Sequence, residues 1–114
     1  MKSLDAVVAA PKHHKVLLEN DYIRVLETLI PPGEQTEIHT HVWGGYLYIV
    51  SWSDLVRYDD VGNILLDTRN SPNQTQPGTA IWAEPLGPHV ARNVGDRNLH
   101  VILTELKSQL VLKK

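Results

Sequence analysis

Two histidines one residue apart, His39 and His41 in the stretch "GEQTEIHTHVWGGY" (33–46), are the residues whose type and spacing could do chemistry. Side chains alternate faces along a strand, so residues two apart point the same way. Glu37, His39 and His41 then share one face of this segment, and Thr36, Ile38 and Thr40 the other. Neighbours on one face lie roughly 6.5 Å apart, and two imidazoles at that spacing can converge on one ion at about 2.0–2.1 Å each. The competing reading is a solvent-facing strand whose two imidazoles hold nothing. The chain has no cysteine, which excludes disulfides, thiolate catalysis and thiolate ligands. Any metal must be held by imidazole, carboxylate or water.

A third histidine, His89, follows Pro85-Leu86-Gly87-Pro88 and precedes Asn93 by four residues. With it the chain resembles the cupins, small β-barrels that carry two short motifs on facing strands. The first motif is Gly, five residues, His-x-His, three or four residues, Glu, six residues, Gly; here Gly33, His39 and His41 fit it. The second is Gly, five residues, Pro-x-Gly, two residues, His, three residues, Asn; here Gly78, Pro85, Gly87, His89 and Asn93 take those places. The pattern covers residues 16–107. Two departures stand out. The glutamate slot falls on Gly45 or on Tyr46, and the closing glycine is Ser53. In the second motif Gly78 to Pro85 is one residue longer and Gly87 to His89 one shorter, so the slips cancel.

The resemblance implies a metal held by His39, His41 and His89, with the fourth place unassigned. Glu37, two residues upstream on the histidine face, is one candidate ligand or hydrogen-bonding partner. Tyr46 is another candidate, donating a hydrogen bond from the glutamate's position, with a plain core tyrosine as the equal alternative. Asn93 reads as a turn or strand-pairing residue. His13 and His14, in "PKHHK", read as a solvated basic turn, and His100 as a packed or outward strand residue. Trp43, Tyr48, Trp52 and Trp82 read mostly as core, with Trp43 able to shape a pocket mouth. Arg24, Arg57 and Arg92 could hold an anion if they point inward, but a solvated surface is the simpler expectation for each.

Imidazole selects transition metals over calcium or magnesium. Three neutral ligands leave the full charge on a divalent ion, which favours a small chelating anion such as an enolate, thiolate or carboxylate. Cupins with three histidines and no glutamate include thiol- and diketone-cleaving dioxygenases that use ferrous iron. The resemblance therefore implies an iron-dependent oxygenase, with Fe(II) favoured and zinc, nickel or manganese as the other metals, and with Tyr46 or Glu37 tuning the site. Two other readings stay open: a non-oxidative metal-dependent isomerase or lyase, and a non-enzymatic small-molecule-binding cupin.

The elements that must position these residues are short strands. "YIRVLETLI" (22–30), "TEIHTH" (36–41), "YLYIVSW" (46–52) and "TAIWAEP" (79–85) read as strands. "DLVRYDDVGNILLDTR" and "VARNVGDRNLHVILTEL" read as hairpins turning at 59–63 and at Gly95-Asp96, with "PLGPH" as a tight turn between strands. About eight strands with turns every eight to twelve residues predict an all-β fold, a β-sandwich or a small barrel. By the resemblance it is a double-stranded β-helix, a jelly-roll barrel. The expected layout of this single 114-residue domain is an N-terminal arm or short helix (1–15), a barrel (16–107) and a C-terminal tail (108–114). Ser3 or Asp5 is available to cap the helix.

Composition fits a globular protein, 42% hydrophobic and 21% charged. A net charge of −2 with no long basic run argues against nucleic-acid binding, which needs a field of lysine and arginine. No apolar run approaches the roughly 20 residues of a membrane span, and the patch at 6–10 is too short for a signal peptide. The expectation is a cytoplasmic protein without membrane partners, and the resemblance implies a homodimer.

Overall fold

A computed structural model describes residues 3–107; the expected tail at 108–114 lies outside them. A four-residue helix, α1 (Ala6–Ala9), is followed by nine strands: β1 (His14–Glu19), β2 (Ile23–Ile30), β3 (His39–His41), β4 (Gly45–Ser51), β5 (Leu55–Asp59), β6 (Ile64–Asp67), β7 (Ala80–Ala83), β8 (Leu86–Asn93) and β9 (Leu99–Leu106). They form two antiparallel sheets, one ordered β1-β2-β9-β4-β7 and the other β3-β8-β5-β6. The non-sequential order is that of a jelly roll, and the architecture is the double-stranded β-helix that the cupin resemblance implies.

Alternation decides which side chains fill the barrel. Leu26, Thr28 and Ile30 of β2, Leu99, Val101 and Leu103 of β9, and Gly45 and Ile49 of β4 are buried, while Tyr46, Tyr48 and Val50 face outward. One end of the interior is an apolar plug of Ile30, Ile49, Leu55, Leu99 and Val101. A second cluster joins Ala6 of α1 to Leu26 and Leu103. Helix α1 is too short to be stable alone, so this burial and the strand contacts of its flanks hold it. Leu4 accepts a hydrogen bond from Thr40 of β3 at 2.6 Å. Asp5 occupies the N-cap position, yet its side chain makes no capping hydrogen bond. Its carboxylate is turned instead onto Arg24.

Three local expectations are corrected. "PLGPH" is no turn: β8 begins at Leu86 and pairs with β3. The strand at "TEIHTH" shrinks to its last three residues, because the backbone bends at Ile38 after an isolated bridge at Gln35. The first strand starts at His14, inside what reads as the arm.

Candidate metal centre

Both sheets contribute imidazoles to one region of the interior. His39 and His41 come from β3, His89 from β8 directly opposite His39, and His14 from β1 opposite Thr28. Ring centres are 4.5 Å apart for His14 and His39, 5.0 Å for His39 and His41, and 5.6 Å for His14 and His41. His89 lies 4.3 Å from His39 and 5.4 Å from His41. Ligands at about 2.0–2.1 Å from an ion put rings on neighbouring positions roughly 4.5–5.2 Å apart. The cluster therefore has the spacing of a coordination shell. Among the described residues, His14, His39 and His41 each bring one ring nitrogen within 4.8 Å of the other two, and these three could hold a metal ion.

Hydrogen bonds settle which nitrogens are free. The Nδ1 atoms of His14, His39 and His89 donate to the carbonyls of Ala10, Glu37 and Gly87, at 2.9, 2.7 and 2.7 Å. A carbonyl only accepts, so Nδ1 carries the proton and Nε2 is left with its lone pair, the tautomer a metal ligand needs. Burial disfavours the charged ring and lowers the pKa of His14 to about 3, of His39 to about 4 and of His89 to about 3. At neutral pH all three are neutral donors. An all-imidazole set fits a late first-row divalent ion and suits neither calcium nor magnesium.

His41 is held differently. Its Nδ1 is buried without a hydrogen-bond partner, and 3.7 Å away lies the equally unpartnered Oε2 of Glu105, a fully buried carboxylate. Glu105 stands opposite Gly45 on the neighbouring strand. A Cβ at Gly45 would run into the backbone of Thr104, so only glycine lets β4 approach β9 this closely. The other Glu105 oxygen accepts from Arg24 Nε at 2.6 Å, and the Arg24 guanidinium forks onto Asp5 at 2.6 and 2.9 Å. Trp43 lies under Arg24, 5.1 Å from ring centre to guanidinium carbon.

The imidazoles open on a cavity of about 380 Å³. Trp43, Leu47, Trp52, Leu55 and Leu103 supply much of its wall, and Arg57 enters from β5. Glu84 is the one carboxylate among the lining residues, and it accepts a hydrogen bond from Trp82 Nε1 at 2.9 Å.

Against the sequence expectations, His39, His41 and His89 do meet in one cavity, and Asn93 is structural. Its amide donates to Ile30 and Arg97, and its oxygen accepts from Ser53 and Gly95. Ser53, in the closing glycine's slot, thus acts as a partner of Asn93. Tyr46 is corrected: it is 45% exposed on the outer face of β4, because the inward parity of that strand falls on Gly45. Glu37 is corrected too. Its side chain is exposed, since the bend at Ile38 breaks the alternation, and only its carbonyl serves the site. His13 is buried against Glu34 at 2.9 Å, and Arg24 is buried, so neither is a solvated surface group. Arg92 is exposed as expected, whereas Tyr48 and Trp82 are exposed rather than core. His14 is corrected as well: expected in a solvated basic turn, it is buried in the histidine cluster. Its strand buries that one position and exposes the other five, so no alternation in the sequence marks it as inward.

No protein-family model matches the chain, and no curated protein matches it. Solved structures do. A cupin domain from Bordetella pertussis Tohama I superposes with a TM-score of 0.67 at 20% identity, over 95% of this chain and 99% of that one. An RmlC-like cupin with a double-stranded β-helix from Methanocaldococcus jannaschii gives 0.57 at 12% identity, over 82% and 77%. The polyketide cyclase RemF from Streptomyces resistomycificus gives 0.56 at 17% identity, over 99% and 82%. With its jelly-roll topology and three histidines able to hold a metal, the chain has the cupin fold.

Proposed function

We propose that this cupin is a metal-dependent oxygenase that uses ferrous iron and acts on a small chelating organic anion. The observation that carries the reading is the donor set: neutral imidazoles with bare Nε2 atoms, opening on a mostly apolar cavity. His14, His39 and His41 would hold the metal, with His89 beside them as the ligand that the cupin motif supplies. A ferrous ion held there would supply the redox chemistry that lets triplet dioxygen react with a closed-shell organic anion.

The chain's own residues do the rest. Backbone carbonyls fix three ring orientations, so little reorganisation accompanies binding of the ion. Because the ligands carry no charge, the site keeps a net positive potential that selects an anion over a neutral molecule. Trp43, Trp52 and the leucines of the wall exclude water, which strengthens that attraction and keeps solvent from the reacting groups.

The test is oxygen uptake by protein loaded anaerobically with Fe(II), offered 2,4-pentanedione and 3-mercaptopropionate as chelating probes. Uptake that depends on protein, iron and probe together, and that disappears in His39→Ala, supports the reading. Turnover of a probe without oxygen would replace it with isomerase or lyase chemistry. Stoichiometric metal without any turnover would replace it with a binding protein.

A further inference from the structure

Arg57 is the one cationic side chain besides the histidines in the cavity wall, and the metal centre does not explain it. It sits in the middle of β5, paired with Ala91 of β8 and Leu66 of β6. His89, two residues before Ala91 on β8, points to the same side of the sheet, so the guanidinium and the imidazoles share one inner surface. The Arg57 charge also lowers the proton affinity of His39 and His89, which puts it within electrostatic reach of both.

Its state is unusual. Among the described residues no carboxylate pairs with it, no carbonyl accepts from it, and its Nε is buried without a partner. The other interior arginine shows what a satisfied one looks like here: Arg24 has Asp5 and Glu105 on three of its nitrogens. A charged side chain seldom carries a buried nitrogen without a partner, because desolvation without a counter-charge is unfavourable. The burial of Arg57 accordingly pulls its pKa below the ordinary arginine value. A fold that keeps such a group at a cavity wall leaves the counter-charge to a ligand.

We propose that Arg57 is the anchor for the carboxylate of a small organic acid whose apolar body lies against the leucine and tryptophan wall. The inference rests on the metal-site reading above only for what happens at the ligand's other end. A planar fork of donors matches a carboxylate. A phosphate dianion would need further cations or a helix N-terminus, and no lysine lines the cavity. At about 380 Å³ the space is near the small end for small-molecule sites, about 300–1,000 Å³, so the acid is compact. The tryptophans and leucines nearby favour a branched or aromatic body over a sugar.

The experiment is calorimetric titration of isobutyrate and phenylacetate, each beside its amide, into zinc-loaded and metal-free protein. The expected result is that at least one acid binds at least tenfold more tightly than its amide in both forms. Arg57→Met should lose that preference while binding zinc with unchanged stoichiometry, and Arg57→Lys should recover part of it. Arg57→Met should melt no lower than the parent, because it removes a half-buried charge whose Nε has no partner; this shows that lost binding is not lost folding. Equal binding of acid and amide, binding untouched by Arg57→Met, or no binding by either acid overturns the assignment. Acid binding that requires zinc but ignores Arg57 makes the metal the anion site, which sinks this inference and spares the metal reading. Arg57-dependent binding in a protein that takes up no metal does the reverse.

Discussion

Glu105 stands across a strand pair from Gly45, one of the two positions at which the cupin spacing places its glutamate. Its carboxylate, on β9, faces Nδ1 of His41 at 3.7 Å. From that place it would orient the ring and raise its basicity, as carboxylates behind metal-bound histidines do. Arg24 pairs with it from behind, and Asp5 holds the guanidinium in place. Glu105→Gln keeps an acceptor for Arg24 but removes the charge behind His41. It should weaken zinc affinity about 10- to 100-fold, read by competition with a chromophoric chelator. An affinity within twofold of the parent, in a variant that melts as the parent does, would show that Glu105 serves only the ion pair with Arg24.

At the scale of elements, the N-terminal segment is part of the site. The carbonyl of Ala10, at the end of α1, fixes the tautomer of His14, and Asp5 closes the Arg24–Glu105 chain. Asp5→Ala should destabilise the protein by about 2 kcal/mol, since it leaves a buried guanidinium with one anion instead of two. Hydrogen exchange should report the loss locally. The amide of Thr40, bonded to Leu4, should exchange faster, while amides between β2 and β9 keep their protection. Uniform acceleration across both sheets would mean that the segment is no separate unit. This dependence on a distant segment also explains what was legible in the sequence. Strand runs and turn residues are local signals, so the strands and the His39–His41 pair could be read directly, while the spacing around Pro85 and Gly87 brought in His89 and, with it, the resemblance that implied the barrel. His14 could not be read, because it is turned inward only by pairing with Thr28 on an edge strand whose remaining residues are exposed. Glu37 and Tyr46 misled for a related reason. Alternation assigns faces only while the backbone stays extended and the strand's phase is known, and a bend at Ile38 and a glycine at 45 reset both.

For the whole molecule, clustering neutral histidines in a dry interior makes the metal-free fold sensitive to acid. Burial is the first cause for His14, His39 and His89, and each folded pKa, about 3, 4 and 3, lies below the value of 6.5 for the free side chain. Where a folded pKa is depressed, the unfolded chain takes up protons that the folded chain refuses. Above pH 6.5 neither state is protonated, so these groups leave stability unchanged. As the pH falls from 6.5 towards 4 the unfolded state gains, by up to about 1.4 kcal/mol per pH unit for each histidine. Asp5, held below its ordinary carboxylate value chiefly by its hydrogen bond to Arg24, adds a loss in the same direction once the pH passes below about 4. Protein stripped with a chelator should therefore melt at a constant temperature from pH 8 to pH 7 and fall steeply between pH 6 and pH 4. Zinc-loaded protein should hold its melting temperature to lower pH, because ion and proton compete for the same lone pairs. A melting temperature of the stripped protein that stays flat down to pH 4.5 would mean that the imidazoles are already hydrated and that the interior is not the dry cavity described above.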